Sequence, residues 1–255
     1  MNEKLKNARI KSVGKSLIIL NYIIDNNSNA SLNNISEELN MPKSTLSGIL
    51  KTLEQFDFIE KKNNKYQLGT HLFKIGMKAK KSYTSVSGEC LQELSDEVKD
   101  TVNLGILSNG KVLIIDKFRP KSGLQIGDNI GANIDPHCVA LGKVLLSNLS
   151  KEEFKKIIKQ NGLKSHAPNT ITNIKDLESE LDKVRKQGYA IDNEEYMKDM
   201  KCIAAPIFNE KGENIAAISI TTLLSRLNEK NLERYKNLLL KYTNKISDRL
   251  GNTKI

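Results

Sequence analysis

The sequence predicts an α+β protein with a small N-terminal domain of helices and a β-hairpin, a connecting helix, and a larger α/β domain. Apolar residues recur at helical spacing up to about residue 53, whereas helical and strand-like segments alternate after about residue 84. The charge is also uneven, because residues 1–82 carry a net +7 of the total +10 and the rest carries +3. We therefore expect two domains, residues 8–69 and 84–250, joined by a linker helix over residues 70–83.

Three short helices are expected in the first domain. The first follows a candidate N-cap at Ser12, and its apolar face is formed by residues spaced 4, 3 and 4 apart: Val13, Leu17, Leu20 and Ile24. Ser31 is placed to cap the second helix. Asn40 tolerates the left-handed conformation of a tight turn, and Pro42 suits the first turn of the third helix. The second and third helices bury Leu32, Ile35, Leu39, Leu46, either Ile49 or Leu50, and Leu53.

A β-hairpin is predicted directly after these helices. Two strand-like segments, 58–61 and 66–68, flank an Asn63-Asn64 turn. The order of helix, helix, tight turn, helix and hairpin is that of a winged helix-turn-helix, in which the last helix enters the major groove of DNA.

The third helix and the hairpin carry the candidate DNA-binding groups. Hydroxyls and lysines contact phosphates and base edges, and a basic hairpin suits the DNA backbone. The candidates on the outward face of the helix and on the hairpin are Lys43, Ser44, Thr45, Ser47, Lys51, Thr52, Lys62 and Lys65. The alternative is an ordinary helical bundle with a solvated Lys/Ser face. The short turn, the basic hairpin and the charge asymmetry favour DNA binding.

The second domain offers the groups for a small-molecule site. Pro136-His137-Cys138 leads into an apolar helix, and the free amides at its start, over residues 139–141, favour an anion. Ser219 and Thr221 alternate with isoleucines, so both hydroxyls lie on one strand face. Asp192 and Cys202 also fall on predicted strands.

Several other classes of protein are not expected. The apolar runs are too short to span a membrane, and the N-terminus lacks a signal-peptide core, which predicts a cytoplasmic protein. The three cysteines and three histidines show no metal-binding spacing, so neither a metal site nor a cofactor is expected. The neighbours His137 and Cys138 do not face each other as a nucleophile pair would, and no catalytic motif is present, so no catalytic residue is assigned.

Both domains resemble the IclR family of bacterial and archaeal transcription regulators. The resemblance rests on residues 12–20, 40–45, 49–53 and 66–69, on Gly131–Leu146 with His137, Gly142 and Lys143, and most specifically on Gly188–Glu195 followed by Cys202–Ile207. It implies a GAF-like effector-binding fold for the second domain and a homodimer or homotetramer. By resemblance, the effector contacts are Leu124, Ile126, Ala140, Leu141, Asp192, Cys202, Ser219 and Thr221.

The combined interpretation is a ligand-responsive repressor that binds a near-palindromic operator in double-stranded DNA. Its expected effector is a small metabolite, an organic acid, bound in the second domain. One departure from the family stands in the recognition helix, where Gly48 replaces a common arginine. Two alternatives remain open: a nonspecific architectural DNA-binding protein whose second domain only oligomerises, and a small-molecule enzyme.

Overall fold

The computed structural model describes residues 3–26, 30–84, 87–123 and 126–252. The chain divides into two compact units, residues 1–82 and residues 83–255. Among the described residues, no helix combines the length and the apolar character that crossing a membrane requires.

The N-terminal unit is a helical domain with a small sheet. Its described elements are α1 (Glu3–Lys6), α2 (Lys11–Asp25), β1 (Ala30–Ser31), α3 (Leu32–Glu38), α4 (Lys43–Gln55), β2 (Ile59–Lys62), β3 (Lys65–Leu68) and α5 (Thr70–Thr84). The strands form one antiparallel sheet in the order β1-β3-β2. Helices α3 and α4 followed by the β2–β3 hairpin confirm the predicted winged helix-turn-helix.

Local sequence signals set the boundaries of these elements. The Ser31 hydroxyl accepts a hydrogen bond from the Asn34 N–H at 3.2 Å, which caps α3 as predicted. Asn40 has a φ of +48°, so the tight turn between α3 and α4 uses the left-handed conformation expected there. The hairpin turn places Asn63 and Asn64 at φ values of +49° and +60°, which matches a type I′ turn.

The core of this unit corrects the prediction for α2. The helix begins at Lys11 after Ile10 rather than after Ser12, and its fully buried residues are Ile19 and Ile23. The predicted face is largely exposed in the chain, because Val13, Leu17 and Ile24 are 53%, 56% and 50% exposed. The apolar run over residues 17–20 allows two faces at helical spacing, and periodicity alone does not choose between them. In α4 the buried residues are Leu46, Leu50 and Leu53, which decides between Ile49 and Leu50.

The C-terminal unit is built on one antiparallel sheet. Its described elements are α6 (Gly88–Val98), β4 (Thr101–Ser108), β5 (Lys111–Phe118), β6 (Asn133–Ile134), a 3-10 turn (Pro136–Cys138), α7 (Ala140–Ser147), α8 (Lys151–Asn161), α9 (Ile174–Gln187), β7 (Ala190–Asn193), β8 (Met200–Phe208), β9 (Asn214–Leu223) and α10 (Glu229–Arg249). The strand order is β6-β5-β4-β9-β8-β7. The predicted α+β class is confirmed.

Helices cover the two faces of this sheet in different ways. On one face, α6 and α10 pack against large apolar strand residues such as Leu104, Ile203 and Ile218. On the other face, α7 packs against the smaller Ala204 and Ala217. The candidate effector site lies on this second face, at the start of α7.

Gly142 fixes the close approach of α7 to the turn before it. A Cβ atom at this position would lie 2.1 Å from the carbonyl oxygen of Pro136, a distance that no side chain can adopt. Only glycine lets the helix pack directly under the 3-10 turn. The glycine therefore positions the first turn of α7 over the sheet.

Candidate DNA-binding surface and effector cavity

The outward face of α4 carries the predicted DNA-binding side chains. Lys43, Ser44, Thr45, Lys51 and Thr52 are exposed, and Ser47 is half-buried. The first turn of this helix contains no acidic residue. Its free amides and the positive end of the helix dipole therefore suit a phosphate.

Two of the predicted groups on this surface also have partners within the chain. The Thr52 hydroxyl donates to the Gly48 carbonyl at 3.0 Å, so its oxygen remains available as an acceptor. On the wing, defined as the β2–β3 hairpin, Lys62 pairs with Glu60 at 3.1 Å, whereas Lys65 is exposed. An exposed ion pair of this kind is weak, so a phosphate can replace Glu60 as the partner of Lys62.

A cavity in the C-terminal unit lies between the sheet and the start of α7. It contains about 450 Å³ of space between protein atoms, including the open solvent at its mouth. Its lining includes six of the eight predicted effector-contact residues, namely Ala140, Leu141, Asp192, Cys202, Ser219 and Thr221. Ile126 does not line this cavity, and its N–H donates to the Thr101 hydroxyl at 3.1 Å. Leu124 lies outside the described residues.

Strand register brings these polar groups together. Asp192 on β7 pairs with Cys202 on β8, and Cys202 pairs with Thr221 on β9, so three side chains from separate segments share one row. The Cys202 thiol lies 3.4 Å from the Thr221 hydroxyl oxygen. Ser219 lies two residues from Thr221 on the same strand face.

Asn103 is a cavity residue that no sequence motif predicted. It lies on β4 opposite Ser219, and its Nδ2 donates to the Thr221 hydroxyl at 3.1 Å. Its Oδ1 is buried and has no hydrogen-bond partner among the described residues. A hydrogen-bond donor on a ligand would satisfy the unpaired oxygen. In the sequence, the only sign of this residue is that it is polar and lies between the apolar neighbours Val102 and Leu104 on a predicted strand.

Asp192 has an unusual protonation equilibrium. Burial raises the pKa of this carboxyl to about 7, and the nearby Glu195 carboxylate adds to the effect. A hydrogen bond from the Glu195 N–H at 2.8 Å opposes the rise. The side chain can therefore donate or accept a hydrogen bond near neutral pH.

A buried lysine connects the segments that surround the cavity. Lys143 on α7 is 1% exposed, and its Nζ contacts Glu195 at 2.6 Å and Glu180 at 3.3 Å. The contact with Glu180 ties α7 to α9, and the contact with Glu195 holds the segment that follows Asp192. A buried charge of this kind is tolerated because it is paired.

Comparison with known proteins identifies the family. The family model described as "Bacterial transcriptional regulator IclR C-terminal" matches residues 81–248, more than half of the chain, and the "IclR helix-turn-helix domain" matches residues 12–62. The chain belongs to the IclR family. It is therefore a DNA-binding transcriptional regulator and not an enzyme.

Two curated IclR-family relatives illustrate the similarity. The transcriptional regulator KdgR of Dickeya chrysanthemi is 34% identical over 85% of this chain and 72% of its own length. The transcriptional repressor IclR of Escherichia coli is 26% identical over 94% of this chain and 89% of its own length.

Solved structures of the family have the same fold. The Thermotoga maritima IclR structure is 30% identical, with a TM-score of 0.72 over 94% of this chain and 98% of that one. An IclR homolog from Microbacterium hydrocarbonoxydans, solved in complex with 4-hydroxybenzoate, is 18% identical, with a TM-score of 0.83 over 94% of this chain and 98% of that one.

Proposed function

We propose that this protein is a repressor whose affinity for its operator changes when a small organic acid binds in the C-terminal cavity. The observation that carries the proposal is the convergence of Asp192, Cys202, Ser219 and Thr221 beneath the first turn of α7. These side chains come from three strands. A few polar groups placed in a largely apolar cavity can fix the orientation of a ligand and provide specificity.

An organic acid fits the chemistry of this cavity. The first amides of a helix have no partner within the helix and favour a carboxylate, and Val139, Ala140 and Leu141 all line the cavity. The opposite side supplies hydroxyls, the Asn103 oxygen and a carboxyl group that can be protonated near neutral pH. The Microbacterium relative, solved in complex with 4-hydroxybenzoate, is an example of a similar fold that holds a carboxylic acid.

The regulator is proposed to act in the cytoplasm as a homodimer or homotetramer on a near-palindromic site. The E. coli relative carries the name of a repressor, which favours repression here. A symmetric dimer presents two recognition helices and therefore requires two half-sites. The exposed apolar row of Val13, Leu17 and Ile24 on α2 is suited to contact between copies of the chain.

Regulation requires unequal affinities. An acid changes operator binding only if it binds more tightly to one arrangement of the protein than to the other. The coupling is reciprocal, so operator DNA changes the affinity for the acid by the same factor.

A binding screen tests the proposal. Full-length protein is titrated onto labelled DNA from upstream of its own gene, with random DNA as competitor and with a panel of small carboxylic acids. We expect a preference for the upstream DNA of roughly 10³-fold or more and a change in affinity with at least one acid. Equal binding to both DNAs would support an architectural role instead.

Matched threonine variants locate the acid. Thr221→Val removes a cavity hydroxyl, whereas Thr243→Val removes a buried hydroxyl on α10 that bonds to the Leu240 carbonyl. We expect Thr221→Val to weaken binding of the acid about tenfold, and Thr243→Val to leave it unchanged. Equal effects of the two variants would contradict this location.

A further inference from the structure

Three potential metal ligands come together beside the start of α7. His137 and Cys138 lie in the 3-10 turn, and His166 lies in the loop between α8 and α9. One ligand atom from each lies within 4.8 Å of the other two. The residues are too irregularly spaced in sequence to suggest a metal site, and the fold brings them together.

The hydrogen bonds of His137 leave one ring nitrogen available. Its Nε2–H donates a hydrogen bond to the Lys164 carbonyl oxygen at 2.9 Å. Its Nδ1 then carries a lone pair, and this atom is buried without a hydrogen-bond partner among the described residues. The side chain is only 1% exposed, so water does not readily satisfy this nitrogen.

His166 is arranged in the same way. Its Nε2 lies 2.8 Å from an oxygen of Asp135, whose other oxygen contacts the Lys111 ammonium. A metal-binding histidine typically donates its second ring N–H to a carboxylate or a backbone carbonyl, which orients the ring and raises its basicity. The two histidines use one of each, which leaves Nδ1 of each ring as the candidate ligand atom.

We propose that His137 Nδ1, Cys138 Sγ and His166 Nδ1 form a binding site for a borderline-soft transition metal ion such as Zn²⁺. Two imidazoles and a thiolate suit this class of ion, and a solvent molecule completes a tetrahedral site. The fourth ligand enters beside His166, whose side chain is 28% exposed.

Metal binding has two structural consequences. Ligands at about 2.0–2.3 Å from zinc lie roughly 3.3–3.8 Å apart, so zinc binding draws the three atoms together by at most roughly 1.5 Å. The Cys138 thiol, which donates to the Asp135 carbonyl at 3.3 Å, transfers its proton to solvent as the metal–sulfur bond forms.

An ordinary buried hydrogen-bond network is the alternative explanation for the cluster. Such a network would place a donor on His137 Nδ1, whereas this atom is unpaired. None of the three ligand residues lines the effector cavity, so the metal proposal does not depend on the proposed effector.

Zinc titration of the full-length, untagged protein after chelator treatment and dialysis tests the site. We expect one Zn²⁺ per chain, and cobalt as a substitute should give thiolate-to-metal charge-transfer absorption together with the intense visible bands of a tetrahedral site. His166→Ala, at a partly exposed position, should weaken zinc binding at least about 100-fold while preserving the far-UV spectrum. Cys138→Ser should abolish the charge-transfer band.

Matched controls use residues outside the cluster. Cys90→Ser replaces another buried cysteine, and His71→Ala replaces the histidine of the N-terminal unit. Both should retain the zinc affinity and the cobalt spectrum of the wild-type chain. Substoichiometric zinc in the wild-type chain, or an affinity that His166→Ala leaves unchanged, would overturn the proposal.

Discussion

At the scale of single residues, Asp192 couples the cavity to pH. Its pKa is raised from 3.8 in the unfolded reference to about 7 in the folded protein, so the folded protein holds this proton more tightly. The contribution of Asp192 to the free energy of unfolding is therefore fully present below about pH 4 and is lost as the pH rises from about 4 to about 7. Above that range, this contribution no longer changes with pH.

Asp192→Asn should remove this dependence while keeping an acceptor for the Glu195 N–H. The free energy of unfolding of the wild type relative to the variant should fall between pH 4 and pH 8, by at most roughly 4 kcal/mol. Urea unfolding at several pH values measures this difference. A constant difference across that range would contradict the raised pKa.

Gly48 is the residue at which the sequence predicts that the recognition helix departs from its family. A Cβ atom here would meet no other atom within 4 Å, so larger side chains fit. Gly48→Ala should stabilise the N-terminal unit by up to about 1 kcal/mol through helix propensity. Gly48→Arg should add a cation that tightens DNA binding and steepens its salt dependence.

Gly76→Arg provides the matched comparison for this prediction. Gly76 lies on α5, and a Cβ atom there also meets nothing within 4 Å. We expect a similar gain in helix stability with a smaller effect on operator affinity. Fluorescence anisotropy at several salt concentrations measures the operator affinity of both arginine variants. If the two variants bound the operator equally well, the added charge at Gly48 would act nonspecifically.

At the scale of elements, α4 should supply phosphate contacts through its lysines. Replacing Lys43 and Lys51 by alanine should weaken DNA binding and reduce the log–log salt slope by about 0.9 for each lost phosphate contact. Lys155→Ala with Lys159→Ala, on the exposed part of α8, is the control pair. An unchanged affinity in the folded Lys43/Lys51 double variant would refute the assignment of the recognition helix.

Helices and hairpins were predictable to the extent that they have local signals. The Ser31 cap, the Asn40 turn and the Asn63-Asn64 hairpin follow from side-chain chemistry within a few residues. The two-residue strands β1 and β6 have no repeating pattern, and both form through pairing with distant segments. For α2 the predicted core-facing side is wrong, because residue spacing does not show which of the helix's two apolar faces packs against the core.

At the scale of the whole molecule, long-range pairing creates the candidate sites. Asp192, Cys202 and Thr221 were assigned by family resemblance, and their common row depends on strand register. Asn103 was missed because a single asparagine in a strand has many ordinary explanations. The His137, Cys138 and His166 cluster depends on where the loop between α8 and α9 lies, which neither charge nor periodicity specifies.

In the proposed function, a small acid in the cavity controls DNA binding by the same chain. The most direct measurement compares the affinity of an acid from the panel for the free protein and for the operator-bound protein, using calorimetry. We expect affinities that differ about fivefold or more, with the same factor separating operator affinity in the presence and absence of the acid. Equal affinities of the free and operator-bound protein for every acid that binds in the cavity would contradict it.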